Sequence, residues 1–246
     1  MIEVASLRYG VIFKKAFSQP YIFTAFVKDL IGIDIEIDKV ETEKYLFAED
    51  KKNRVIIDIQ HKRYSDHYDR FLHYQPNMQV FTIVVLTSGD KHKTDISITD
   101  FEPKKLDGTG IGETQHKIIY VSPKYASDET PEPYREWLKA IDDSLDEQVE
   151  ESDYNNEIIK DIFALIKKDK ITPKEYAKMK NQYSEEEYLK DQKQEAKDTK
   201  ALEIAKKMLN AGMDIETITA MTGLMPDLIK EKDISFSTEA QDHQKG

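Results

Sequence analysis

The chain has 246 residues, of which 39% are hydrophobic and 34% charged, and its formal net charge is −11 at pH 7. It contains no cysteine, which excludes disulfide frameworks, cysteine-ligated zinc and thiolate nucleophiles. Its longest nearly uninterrupted apolar run, residues 80–86, is far shorter than the ~20 residues that cross a bilayer. We therefore expect a cytoplasmic protein that has neither a signal peptide nor a membrane partner.

Charge is distributed unevenly between the two halves. Residues 1–125 contain 18 basic and 18 acidic side chains, so the whole negative excess falls on residues 126–246. Negative charge slows and weakens contact with phosphates. We expect a polyanionic partner to meet the first half.

The first half has the pattern of a mixed α/β domain. Apolar residues at helical spacing predict two helices before residue 32, with Pro20 opening the second and Gly32 ending it. Ile35 and Ile37 alternate with acids and predict a short strand. A short helix is predicted at 65–75. Four segments have the composition of strands, namely residues 54–61, 78–87, 95–98 and 117–122.

This alternation of elements predicts an α/β fold with a small mixed sheet flanked by helices. The run at 78–87 is too continuously apolar for a half-solvated strand, so we expect it at the centre of the sheet. Residues 50–53 are polar and predict a hairpin loop between two extended segments.

The second half is predicted to be helical. Thr130 before Pro131 has the pattern of a helix start, and Thr172 with Glu175 and Ser184 with Glu187 have the spacing of capping boxes. We divide the chain into an α/β core at 1–125, an α-helical C-terminal region at 126–232 and a disordered tail at 233–246.

Residues 212–229 have the outline of two short helices around a glycine turn, as in a helix-turn-helix. A helix that reads DNA normally carries Arg, Asn or Gln for base edges, and Lys230 and Lys232 are the only cations near this segment. This composition favours helix packing or self-association over DNA reading, and so a homo-oligomer formed through the helical region.

The strand at 54–61 carries the first candidate for chemistry. Alternation places Ile56, Asp58 and Gln60 on one face of the strand. A carboxylate on an apolar strand is costly to bury unless it is paired or binds a cation such as Mg²⁺. The alternative is an edge-strand Asp58 that points to solvent or pairs with Lys51, Lys52 or Arg54.

Several segments in order along the chain resemble the PD-(D/E)XK nuclease family transposases, which are also described as recombination-promoting nucleases. The resemblance extends to about residue 230, and the segments that carry it most clearly are YGVIFKKAF at 9–17, FTAFVKDLIGI at 23–33, VETE at 40–43, LFAEDKKNRVIIDIQH at 46–61 and YDRFLHY at 68–74.

The resemblance implies a restriction-endonuclease-like core and Mg²⁺-dependent hydrolysis of DNA phosphodiester bonds in recombination or mobile-element activity. Asp58 and Gln60 fall on the family's acid-x-Gln positions, which implies catalytic roles for both and metal binding by Asp58. Three basic residues resemble those that hold the DNA backbone, namely Lys62, Arg63 and Arg70.

The chain departs from the family pattern around this site. Tyr45 stands where the family has its first metal-binding Asp, and two segments on either side of the site are shortened. Glu41, Glu43 or Glu49 could supply the second carboxylate, and we name Glu43 because regular alternation would place it on the face of Tyr45. A catalytically degenerate relic that binds DNA or protein is therefore the alternative to an active nuclease.

Overall fold

The computed structural model describes residues 1–43, 45–60, 78–112 and 116–227. The chain divides into two compact units, Met1–Lys180 and Asn181–Gly246. The predicted helix at 65–75 and the predicted tail at 233–246 lie outside the described residues.

A mixed five-stranded sheet forms the centre of the first unit. Its strands are β2 (Leu46–Glu49), β3 (Asn53–Gln60), β4 (Gln79–Leu86), β5 (Ile96–Asp100) and β6 (His116–Val121), arranged in the order β2-β3-β4-β6-β5. The three inner strands β3, β4 and β6 are parallel, and the edge strands β2 and β5 are antiparallel to their neighbours. The run at 78–87 is thus the central strand, as its unbroken apolar composition predicts.

Helices cover one face of this sheet. They are α1 (Gly10–Phe17), α2 (Pro20–Ile31), α3 (Tyr134–Asp143) and α4 (Glu157–Ile166), and their apolar faces share one core with the sheet. A two-stranded ribbon joins β1 (Ile2–Glu3) to β7 (Gln148–Val149). This α/β fold with flanking helices and a helical C-terminal region is the predicted fold class.

The first unit continues well past residue 125. Trp137 of α3 is fully buried, and its indole Nε1 donates to Asp29 Oδ2 of α2 at 2.8 Å. Phe163 of α4 also lies in the core that includes the sheet. These contacts group residues 126–180 with the sheet, and the functional boundary after residue 125 stays a prediction.

Some local predictions are confirmed by the structure. Helix α2 begins at Pro20 and ends before Gly32, whose φ of 71° suits a residue without a side chain. In the capping box, Thr172 N donates to Glu175 Oε2 at 2.7 Å and Glu175 N donates to Thr172 Oγ1 at 3.3 Å, opening α5 (Pro173–Asn210). The loop at 50–53 joins β2 to β3, with Asp50 accepting from two backbone amides.

Three other predictions are wrong. Ile35 and Ile37 lie in irregular chain and pack on the core. Thr130 does not cap a helix, because its hydroxyl donates to Asp95 Oδ2 at 2.7 Å and α3 begins only at Tyr134. Ser184 lies inside the continuous helix α5, since the residues around it are strong helix formers.

The second unit is helical over the residues described. The end of α5 is followed by a turn at 211–214 and by α6 (Ile215–Thr222). Asp214 caps α6, accepting from Thr217 N at 2.9 Å, and Gly223 ends it with a φ of 72°. Ala205, Ile218 and Leu224 form the small core of this unit.

Across the described residues, no helix is both long and apolar enough to span a membrane.

Candidate functional site

The candidate site lies where β3 ends. Parallel strands bring their carboxyl ends to one edge of a sheet, and ligands of open α/β sheets bind outside that edge. Asp58 and Gln60 are in the last three residues of β3, beside Val84 and Leu86 of the parallel strand β4. The backbone continues this pairing beyond the strands, since Thr87 N donates to Gln60 O at 3.0 Å.

Asp58 and Gln60 contact one another directly. Gln60 Nε2 donates to Asp58 Oδ2 at 2.7 Å. The side chain of Gln60 is buried, and its Oε1 has no hydrogen-bond partner in the part of the chain that is described. Turning the amide over would place Oε1 against the carboxylate, where two acceptors face one another. The contact therefore fixes the orientation of the Gln60 amide. Its Nε2 faces Asp58, and its Oε1 is the atom that has no hydrogen-bond partner among the described residues.

The alternative interpretation of Asp58 as an edge-strand residue is wrong. Strand β3 is internal, because it pairs with β2 on one side and with β4 on the other. Arg54 lies at the opposite end of β3, where its Nε donates to Glu49 Oε2 at 2.9 Å. Asp58 is thus a partly buried carboxylate on an interior strand, a position that needs compensating partners.

Tyr45 directly precedes β2, on the face of the sheet that carries Asp58. Strand β2 is antiparallel to β3, with Leu46 opposite Ile57, so continuing the same register by one residue puts Tyr45 opposite Asp58. Its side chain is partly buried and packs on an apolar cluster that includes Val84 and Leu86. The position at which the family pattern has an Asp is therefore adjacent to Asp58 and carries an aromatic ring.

The three glutamates that are candidates for the second metal-binding carboxylate have different surroundings. The chain turns back between Glu41 and Phe47, which exchange backbone hydrogen bonds of 2.8 and 2.9 Å, so the regular alternation expected through Tyr45 is absent. Glu43 lies in this turn and is exposed. Glu49 is at the far end of β2 and pairs with Arg54. The metal-binding role of Glu43 stays a prediction.

Lys14 of α1 is a member of the site that sequence reasoning missed. Its Nζ donates to the backbone oxygen of Glu43 at 2.9 Å. Burial lowers the pKa of the Lys14 ammonium, the negative charge of Asp58 raises it, and the positive charge of Lys178 lowers it. Lys14 thus links the turn that contains Glu43 to the carboxylate on β3. The sequence shows two adjacent lysines in α1 but does not indicate which strand either of them approaches.

The donors at this site suit a hard cation. Mg²⁺ takes one or two protein carboxylates and fills its remaining positions with water and phosphate oxygens. Asp58 offers carboxylate oxygens, and Gln60, whose Nε2 donates to Asp58 Oδ2, offers Oε1, which has no hydrogen-bond partner among the residues described. Among the described residues, no group of three or more His, Asp or Glu side chains is arranged to hold a metal ion. The donor chemistry fits Mg²⁺ with few protein ligands.

Lys62, Arg63 and Arg70 lie in the segment 61–77, outside the described residues. Their role in DNA binding stays a prediction.

The second unit matches a known family. Residues 198–231, which contain the end of α5, the turn and α6, match the C-terminal HTH domain of the Rpn/YhgA-like nuclease family. This match supports the assignment of the chain to the Rpn/YhgA-like nuclease family. It agrees, over these residues, with the family that the resemblance along the chain predicts. No curated protein and no solved structure matches the chain.

The helix-turn-helix outline of the C-terminal segment is therefore that of the Rpn/YhgA-like HTH domain. The HTH assignment favours DNA as a partner. Homo-oligomerisation through this region stays a prediction.

Proposed function

We propose that this Rpn/YhgA-like protein is a metal-dependent DNA endonuclease that hydrolyses phosphodiester bonds in recombination or mobile-element activity. The observation that carries the proposal is the contact between Asp58 and Gln60 at the carboxyl end of an interior parallel strand, where Gln60 Oε1 has no hydrogen-bond partner among the described residues. A buried amide oxygen without a partner costs about 1–3 kcal/mol, so its retention favours a ligand at that atom.

In this proposal Asp58 and Glu43 hold Mg²⁺, and Gln60 orients the attacking water or the scissile phosphate. The metal would supply a more acidic bound water and neutralise charge that develops on the phosphate. Asp58 provides a negative oxygen donor whose orientation is set by Gln60 Nε2. Lys62, Arg63 and Arg70 contact the DNA backbone, which positions the duplex without reading its sequence. Such a protein acts on DNA in the cytoplasm.

The test is nicking of supercoiled plasmid by purified protein in Mg²⁺, with EDTA as the metal-free control. Asp58→Asn keeps the size of the side chain and a hydrogen-bond acceptor for Gln60 while removing the charge. We expect it to lower the nicking rate by about a thousandfold, equivalent to ~4 kcal/mol of transition-state stabilisation.

The matched control is Asp100→Asn, which removes a carboxylate from the edge strand β5. Asp100 lies at 3.8 Å from Lys104 and Lys117 on the opposite edge of the sheet from β2, and its loss is expected to leave the nicking rate unchanged. Equal nicking by wild type and Asp58→Asn would remove Asp58 from the mechanism.

The second candidate is a degenerate member of the family that binds DNA or protein without cleaving it. Tyr45 opposite Asp58 favours this candidate, because a carboxylate is missing at that position. The described part of the HTH match, residues 198–227, has three basic and five acidic side chains, a balance that suits a protein partner better than DNA. Mg²⁺-dependent nicking that disappears in Asp58→Asn would reject this candidate.

A further inference from the structure

The connection that follows β4 carries three consecutive basic residues. Their side chains are all exposed, and they are Lys91, His92 and Lys93. The chain turns as soon as the central strand ends, since Gly89 N donates to Leu86 O at 2.9 Å. Residues 90–93, which we name the basic turn, therefore lie at the carboxyl end of the sheet, the edge that also carries the candidate site.

Strand order sets the position of the basic turn relative to the candidate site. Leu86 is opposite Gln60 in the parallel register of β3 and β4. Beyond the turn the chain reaches β5, where Ser122 N donates to Asp95 O at 2.6 Å. The connection thus crosses the carboxyl end of β6, one to two strand spacings, or about 5–10 Å, to the side of β3. A DNA strand has one phosphate per ~3.4 Å of helix axis, so a few neighbouring phosphates span this distance.

The backbone of the basic turn is held by its own hydrogen bonds. Asp90 is 7% exposed, and it accepts from Lys91 N at its Oδ1, at 2.6 Å, and from Lys93 N at its backbone oxygen, at 3.1 Å. Lys93 has a φ of 53°, a left-handed conformation that is uncommon for a residue with a side chain. The turn therefore directs its acidic residue inward and its basic residues to the surface.

The two lysines of the basic turn differ from lysines elsewhere in the first unit. Lys15, for example, lies at 3.1 Å from the Glu175 carboxylate. Within the described ranges of the chain, no carboxylate forms an ion pair with Lys91 or Lys93. The carboxylate of Asp95, at the end of the same connection, accepts from a backbone amide at 2.7 Å and from a threonine hydroxyl at 2.7 Å. The turn thus presents two ammonium groups to an anionic ligand.

We propose that the basic turn binds the phosphate backbone of duplex DNA beside the candidate site, an inference that rests on the proposed function because it takes DNA as the ligand. Lys91 and Lys93 each contact one phosphate, and His92 donates an imidazole N–H to the same strand. Lysine binds phosphate as a point charge, so these contacts hold the duplex without reading its sequence. The match of the second unit to an HTH domain favours DNA over other polyanions.

The chain offers a matched control at the opposite end of the sheet. The turn at 50–53 also has two exposed lysines, Lys51 and Lys52, and Asp50 Oδ1 accepts from Lys52 N at 2.7 Å. The eight residues of β3 place this turn about 23 Å from the carboxyl edge. Lys51→Gln with Lys52→Gln removes the same charge as Lys91→Gln with Lys93→Gln. The two double variants therefore differ in where the charge is lost.

The first measurement is the affinity of the full chain for a short fluorescein-labelled DNA duplex, followed by anisotropy in EDTA at several salt concentrations. We expect Lys91→Gln with Lys93→Gln to raise Kd about tenfold at low salt, equally for two unrelated sequences. The slope of log Kd against log salt should fall by about 1.8, because each lost phosphate contact removes ~0.9 of a released counterion. The control pair should leave both the Kd and the slope unchanged.

The second measurement locates the DNA directly. The chain contains no cysteine, so His92→Cys supplies a single thiol for the photo-crosslinker azidophenacyl bromide. Lys51→Cys, labelled in the same way, is the control. We expect crosslinks to the duplex from the thiol that replaces His92 and none from the thiol in the distant turn. This result does not depend on how much of the affinity comes from the second unit.

Three results would overturn the proposal. They are the absence of duplex binding by the wild-type protein, an unchanged Kd and salt slope in the variant of the basic turn, and equal crosslinking from the two thiols. The substituted side chains are exposed, so thermal unfolding should be unaltered in every variant. Failure of the nuclease proposal is a separate result, because plasmid nicking requires Mg²⁺ and both binding measurements are made in EDTA.

Discussion

The two faces of the five-stranded sheet differ in what they carry. The face under the helices is apolar from strand to strand, and includes Val55, Ile57, Ile83, Val85, Ile119 and Val121. The opposite face has a smaller cluster of Val84, Leu86, Ile118 and Tyr120, and the same strands place Asp58, Gln60 and Thr82 there. One strand therefore places its alternate residues in the large core and at the candidate site.

Ile57 and Asp58 show this division most clearly, because they are neighbours on β3 with side chains on opposite faces. Ile57 is 1% exposed within the large core, whereas Asp58 is partly exposed and contacts Gln60. Substitutions on the face under the helices should lower the free energy of unfolding. Substitutions of Asp58 and Gln60 on the opposite face should change binding or activity. The following variants test this comparison.

The largest effect on stability is expected for Ile57→Ala. Removing three carbons from a fully packed site loses their transfer free energy and leaves a cavity, which together cost about 2–5 kcal/mol. Urea unfolding followed by circular dichroism measures the change. Asp58→Asn is the neighbouring control and should alter the free energy of unfolding by less than about 1 kcal/mol. Similar losses in both variants would contradict a division of roles between the faces.

The inner strands of the sheet could be predicted from the sequence. β-branched and apolar runs bounded by polar turns identify β3, β4 and β6, and the continuous apolar character of 79–86 identifies the central strand. The residue types that are favoured at helix ends likewise identify the two ends of α2 and the capping box that opens α5. These features depend on residues close together in the chain.

The candidate site could be predicted only in part. Alternation and the family resemblance identify Asp58 and Gln60, and the register of β2 agrees with Tyr45 at the position opposite Asp58. Lys14 could not be identified, because its approach to Asp58 depends on how α1 packs against the sheet. The placement of Glu43 depends on the turn between Glu41 and Phe47, which regular alternation does not describe.

A smaller effect is expected from Tyr45→Asp, which tests the chemical face. This variant places a carboxylate next to the start of β2, where the family pattern has its first metal-binding Asp, and it can replace the exposed Glu43 as the partner of Asp58 on Mg²⁺. If the proposed nuclease function holds, the nicking rate in Mg²⁺ should rise about tenfold, which corresponds to ~1.4 kcal/mol.

Tyr45→Phe is the matched control for this gain, since it keeps the aromatic ring on the cluster of Val84 and Leu86 and adds no charge. The gain should also disappear in Tyr45→Asp combined with Asp58→Asn. A rise that persists without Asp58 would mean that the new carboxylate acts at a different place. No rise in a folded Tyr45→Asp protein would favour the degenerate, non-cleaving candidate.

The smallest effect is expected at Thr82, on the same face as Asp58 but at the middle of the central strand. Thr82 is fully buried, and its Oγ1 has no hydrogen-bond partner in the described part of the chain. A buried hydroxyl without a partner is destabilising, so Thr82→Val should raise the free energy of unfolding by about 1 kcal/mol.

Thr130→Val is the matched control, because the hydroxyl of the buried Thr130 donates to Asp95 Oδ2 at 2.7 Å and accepts from Ser127 N at 3.0 Å. That control should lose about 1–2 kcal/mol in the same urea titration. Equal destabilisation of both variants would show that the Thr82 hydroxyl has a hydrogen-bond partner in solution.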